Sequence, residues 1–115
     1  MKYSPSIDRL IKEFSKLPGI GTKSATALAF SILKYSESEA NNFSSAILSV
    51  KKNVRLCKEC YNICESDICE ICLNVKREQD VICIVEKPTD LFSIEASHSY
   101  KGLYHVLHGR LSPIE

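Results

Sequence analysis

Between Cys57 and Cys72 the chain reads C-K-E-C-Y-N-I-C-E-S-D-I-C-E-I-C, with two Cys-x-x-Cys pairs, Cys57/Cys60 and Cys69/Cys72, separated by eight residues. One such pair lets two thiolates from a single tight turn reach the same ion at about 2.3 Å, and two turns complete a tetrahedron. Structural zinc is the reading this spacing favours in an intracellular chain. An iron ion held by the same four thiolates, as in a rubredoxin-type electron carrier, is the second reading, and a pair of disulfides the third. Cys64 lies between the pairs, fits neither turn, and reads as a spare thiol beside the site.

A second stretch has the means to bind phosphate. Leu17-Pro18-Gly19-Ile20-Gly21 interrupts two helical patterns, because a proline and two glycines within four residues cannot continue a helix. Helix, L-P-G-I-G, helix is the pattern of a helix-hairpin-helix. Gly19 and Gly21 remove side chains that would keep a phosphate from the backbone, and a second helix begins there with its positive end. Lys16 and Lys23 flank the turn, and Thr22 is the expected N-cap. Contacts of this kind ignore base identity and weaken with salt. The alternatives are an ordinary helix C-cap glycine with solvated lysines, or a hairpin that packs against its own copy.

The elements that must position these residues follow from periodicity. Ile7, Leu10, Ile11, Phe14 and Leu17 form the stripe of an amphipathic first helix opened by Pro5. The second helix is expected to bury Ala25, Leu28, Ala29, Ile32 and Leu33. Ser36 and Glu39 form a capping box for a third, carrying Ala40, Phe43, Ile47, Val50 and Val54. Three such helices close only a thin core, and a segment of about 55 residues is marginal without a metal or a partner subunit.

Beyond the cysteines, Asn74 to Asp80 is polar and reads as a linker. Val81-Ile82-Cys83-Ile84-Val85 is a continuous apolar run, the signature of a strand buried on both faces, with Cys83 an inert core residue. Pro88 opens a helix containing Leu91, Ile94, Glu95 and Ala96, and Leu103 to Leu107 is a second strand, which makes one βαβ unit. Glu86, at the carboxyl end of the first strand, is either a metal-binding or acid/base carboxylate or a solvated strand-end glutamate. His98, His105 and His108 show no ligand spacing with the cysteines and read as loop or sheet packing. Two strands and one helix do not make a stable layer alone, so the chain reads as an N-terminal portion of something longer.

Charge and composition agree with this division. A chain of 115 residues, 44% hydrophobic and 25% charged, is a soluble globular protein of one domain or a few very small ones. No run approaches a membrane span and no apolar signal core follows Met1, so the cytosol, where thiols stay reduced, is expected. Residues 1–56 hold nine Lys/Arg against four Asp/Glu, residues 57–80 three against six, and residues 81–115 three against four. The basic excess therefore coincides with the hairpin.

Taken in order, L-P-G-I-G-x-K-S-A, the C-x2-C-x8-C-x2-C finger, V-I-C-I-V-E-K-P-x-D and Y-H-V-L-x-G-x-L-S-P resemble the RecR family of bacterial recombination mediators over essentially the whole chain. The resemblance implies an α+β protein in several parts: a helix-hairpin-helix domain over 1–54, a four-cysteine zinc finger over 55–78, and the first βαβ unit of a Toprim domain over 79–115. It implies Cys57, Cys60, Cys69 and Cys72 as ligands of one zinc ion, and Lys23 as the hairpin lysine tied to DNA binding. It implies a non-enzymatic adaptor that works with RecO and RecF to assist RecA loading on single-stranded gaps, as dimers or ring-like tetramers. Glu86 matches the Toprim glutamate, which is not expected to catalyse in this family. The alternative is a fragment of a magnesium-dependent Toprim nuclease, primase or topoisomerase, which would need further acidic ligands from later strands. Two departures stand out: Ala27 where many relatives carry arginine, and His108 where glycine is common.

Overall fold

A computed structural model describes residues 2–109, and these fall into two compact units that divide between Leu48 and Ser49. In the first unit, α1 (Pro5–Ser15) starts where the hydroxyl of Ser4 accepts the Ile7 N–H at 3.2 Å, with Pro5 in the first turn. Asp8 accepts the N–H groups of Lys2 and Tyr3 at 3.0 and 3.1 Å and holds the entry segment to the helix. The second helix, α2 (Thr22–Leu33), packs on α1. Gly21, extended at φ −84°, is its N-cap, and Thr22 is already helical. This corrects the expected cap at Thr22. Helix α3 (Glu37–Asn53) opens with the predicted capping box: the Ser36 N–H donates to Glu39 Oε1 at 2.9 Å and the Glu39 N–H to Ser36 Oγ at 3.1 Å.

The core of this unit is smaller than the periodicity suggested. Only Ala25 and Ala29 are fully buried on α2, while Leu28 and Leu33 stay exposed. On α3, Phe43, Ile47, Leu48 and Val50 all face solvent, Leu48 at 67%. The stripe is present, but the described residues leave most of it open. Edge-to-face pairs, Tyr3 on Phe30 at 5.3 Å and Tyr35 on Phe43 at 6.3 Å, supply part of the missing packing.

The second unit holds a hairpin of β1 (Arg55–Leu56) and β2 (Ile63–Cys64), a single helical turn α4 (Glu70–Leu73), and the βαβ unit β3 (Ile82–Val85), α5 (Pro88–Ala96), β4 (Leu103–Val106). Strands β3 and β4 are parallel, with Ile82 opposite Leu103 and Val85 opposite Val106. Val85, Leu91, Tyr104 and Val106 form the buried cluster, with Ile71 and Ile94 against it. The expectation that β3 is buried on both faces does not hold among the described residues. Ile82 and Ile84 are 61% and 62% exposed, because α5 covers one face of the sheet only. Cys83 is half-buried.

The polar stretch read as a linker is a clamp. Arg77 is nearly buried and grips Glu95 of α5 with two guanidinium bonds of 2.9 Å, while also donating to the Gly102 carbonyl at 2.9 and 2.7 Å. The Tyr104 hydroxyl donates to the same Glu95 carboxylate, and the Arg77 guanidinium lies over the Tyr104 ring at 5.8 Å. Arg77 first, then Tyr104, hold the Glu95 carboxyl below the ordinary glutamate range. Burial, and then the Glu95 carboxylate, push the Tyr104 hydroxyl up, so it stays a neutral donor.

Candidate zinc centre and nucleic-acid interface

The first knuckle is a tight turn carried on the β1–β2 hairpin, in which Leu56 pairs with Ile63. The Cys57 N–H donates to the Asn62 carbonyl at 2.7 Å, and the Tyr61 N–H to the Cys57 carbonyl at 3.0 Å. Closing so short a loop forces Tyr61 to φ 64°, a conformation that costs a side-chain-bearing residue about 1 kcal/mol. The second knuckle is different. Cys69 caps α4, whose one turn brings Cys72 back toward it.

Together the two turns place all four sulfurs within 4.8 Å of one another, with Cys57 to Cys72 at 3.8 Å and Cys60 to Cys69 at 3.6 Å. A tetrahedron with bonds of about 2.3 Å has sulfurs about 3.8 Å apart, so the spacing is that of a zinc tetrathiolate. It is far too long for a disulfide, whose sulfurs lie about 2 Å apart. Cys57, Cys60 and Cys69 are buried. Backbone N–H groups point at the sulfurs, Asn62 to Cys60 at 3.4 Å and Cys69 to Cys57 at 3.3 Å, which favours the thiolate form. Burial pushes the Cys57 thiol up, but the N–H groups of Cys60, Cys69 and Glu59 outweigh it and bring it down to about 6. Burial pushes Cys60 up to about 12, and burial with the neighbouring sulfurs raises Cys72. Sulfurs crowded this closely need a cation before all of them can ionise. Cys64 is outside the cluster, its thiol turned to the Ser66 carbonyl at 3.1 Å.

In the first unit, the turn between α1 and α2 exposes backbone. Gly19 has φ 81°, which explains glycine there, whereas Gly21 has an ordinary conformation; a side chain at either would meet nothing within 4 Å. No side chain caps α2, so its first N–H groups face outward with Lys23 in the same turn. Lys16 pairs with Glu13 at 2.9 Å on the surface and is partly neutralised by it. No ion pair to Lys23 occurs among the described residues.

Family comparisons match three consecutive stretches of the chain. Residues 7–51 match the RecR helix-hairpin-helix model, 54–74 the RecR four-cysteine zinc finger model and 80–115 the Toprim domain. Recombination protein RecR of Enterococcus faecalis is 49% identical over 115 residues, all of this chain and 58% of its own length. Recombination protein RecR of Deinococcus radiodurans is 46% identical over 114 residues, 99% of this chain and 52% of its own length. The chain belongs to the RecR family. It spans a little over half the length of these curated relatives.

With the zinc finger match and the sulfur geometry together, the four-cysteine cluster is one structural zinc site. Glu86 lies exposed just past β3, its carbonyl accepting the Gly109 N–H at 3.2 Å. His108 has φ 57°, a left-handed conformation that glycine adopts without side-chain cost. Ala27 is exposed on α2, one turn past Lys23. Sequence reasoning did not find Tyr61, Asn62, Arg77 or Tyr104. The first two lie inside the knuckle, Tyr61 against His105 and Asn62 on the Cys60 sulfur, and the Arg77 partners are 18 and 25 residues away. The sole signal was an arginine in a stretch otherwise read as linker.

Proposed function

We propose that this RecR-family chain is a non-enzymatic adaptor of recombinational DNA repair that binds DNA without reading its sequence. The observation that carries this reading is the uncapped start of α2. Gly19 and Gly21 leave its N–H groups open, and Lys23 stands in the same turn, so a phosphate can meet backbone dipoles and an ammonium at once. Thr22 contributes an N–H to this cradle, and Lys16 flanks it once released from Glu13. Cys57, Cys60, Cys69 and Cys72 hold the zinc that stiffens the finger. The proposed divisions are 1–54, 55–78 and 79–115.

The partners proposed for the whole protein are RecO and RecF, with RecA loading at single-stranded gaps as the outcome. Self-association supplies multivalency, which raises weak single contacts to useful affinity. The exposed Phe43, Ile47 and Val50 of α3 favour it, since apolar residues in such a row are ordinarily covered. The deciding experiment is DNA binding by Lys23→Glu across a salt series. Affinity should fall several-fold at low salt, and the slope of log K against log salt should shrink by about one. Unchanged affinity and slope would remove the hairpin from the DNA site.

A further inference from the structure

The N–H groups of β4 point alternately to its two edges. Leu103 and Leu107 donate inward, to the carbonyls of Val81 and Val85 at 2.8 and 2.9 Å. Val106 points the other way, and its N–H donates to the carbonyl of Cys60 at 2.8 Å. That carbonyl belongs to the first knuckle, on the residue whose sulfur is a zinc ligand. The next residue, left-handed Tyr61, stacks edge to face on His105 of β4 at 5.1 Å, and its carbonyl meets the His108 imidazole. Tyr61 and His108 both carry positive φ, so each side of this contact holds a strained backbone.

We infer that the first zinc knuckle is a metal-dependent cap on the outer edge of β4. Zinc fixes the Cys60 sulfur and holds the turn that aims the Cys60 carbonyl at Val106. Backbone strain of the Tyr61 kind persists only where its surroundings enforce it. Without the ion the turn relaxes, Tyr61 leaves the left-handed region and the carbonyl swings away. The Val106 N–H is then unpaired on an open strand edge, a template on which another strand can add. Zinc occupancy thus decides whether this edge of the sheet is sealed.

Amide hydrogen exchange on the zinc-loaded chain tests this, with chelation and Tyr61→Val as the two perturbations. Chelation should speed exchange at Val106 at least tenfold more than at Leu103 and Leu107, whose N–H groups bond to the β3 side. The Tyr61→Val chain keeps all four thiolates, so it separates edge opening from wholesale unfolding. It should bind one zinc, expose Val106 selectively, and leave Leu103 and Leu107 protected, whereas Tyr61→Gly, at ease at positive φ, should behave as the parent. If Val106 in Tyr61→Val stays as protected as in the parent, or if all three amides lose protection together, the cap is wrong.

Discussion

The two units of this chain meet the same shortage of apolar mass in opposite ways. In the first, two alanines are fully buried and long side chains on α2 and α3 remain in water. In the second, three buried cysteines, a nearly buried arginine–glutamate pair and a small βαβ core share the load. Burial at about 25 cal/mol per Å² cannot carry segments this short alone. One unit therefore draws on a structural zinc site, and the other leaves most of its apolar stripe open among the described residues. The two also differ in charge: the sequence around the sulfurs is acidic, and the thin basic unit exposes the backbone N–H groups at the start of α2.

The largest test of this contrast is removal of a ligand. Cys69→Ser should lose the zinc and unfold the second unit's finger, since zinc binding in such peptides is worth on the order of 10 kcal/mol at neutral pH. Loss of the amide dispersion of residues 55–74 would report it. Zinc binding near pH 7 should also release protons from the sulfur cluster taken as a whole, since burial holds the Cys60 and Cys72 thiols up. Calorimetry in buffers of differing ionisation enthalpy counts those protons.

Next in size is the clamp. Arg77→Met leaves the Gly102 carbonyl without the guanidinium bonds and Glu95 with the Tyr104 hydroxyl as its one remaining side-chain donor, and should cost about 2 kcal/mol in denaturant unfolding. The Glu95 carboxyl is depressed in the folded chain, so its contribution is complete above the ordinary value of 4.5 and is lost as pH falls through the lower folded value. Arg77→Met should flatten that acid limb. An unaltered acid limb would show that the pair does not stabilise the unit.

The glycines of the hairpin give a finer comparison. Gly19→Ala forces a side chain into φ 81° and should cost about 1 kcal/mol, whereas Gly21→Ala, at φ −84°, should cost a few tenths. Equal costs would contradict the conformational assignment. Smallest is Ala27→Arg, which places a cation on α2 one turn past Lys23. It should raise DNA affinity a few-fold and steepen the salt slope by about one, without altering the unfolding midpoint.

Much of this architecture was legible from residues alone. Cysteine spacing, the Ser36/Glu39 capping box, Pro5 and Pro88 at helix starts, and the parallel strands around α5 all follow local rules and stand where those rules put them. The failures share a cause. Thr22 is not the cap because the helix begins one residue earlier than side-chain preference indicates: Gly21 holds the extended N-cap position and Thr22 is already helical. The apolar run of β3 predicted two covered faces, but a run reports only the preference of its side chains and not whether a partner is present; Ile82 and Ile84 stay exposed for that reason. Arg77 looked like linker because its partners lie far along the chain. Tyr61 was invisible because its residue type gives no sign of positive φ, whereas His108 stood out only as a departure from the family pattern.

Metal stoichiometry of the purified chain against Cys69→Ser tests the central claim most directly. One zinc per parent chain, and none in the variant, is the predicted pair of values. A variant that retains a full equivalent would show that the four-sulfur set is wrong, with Cys64 then the sulfur to replace.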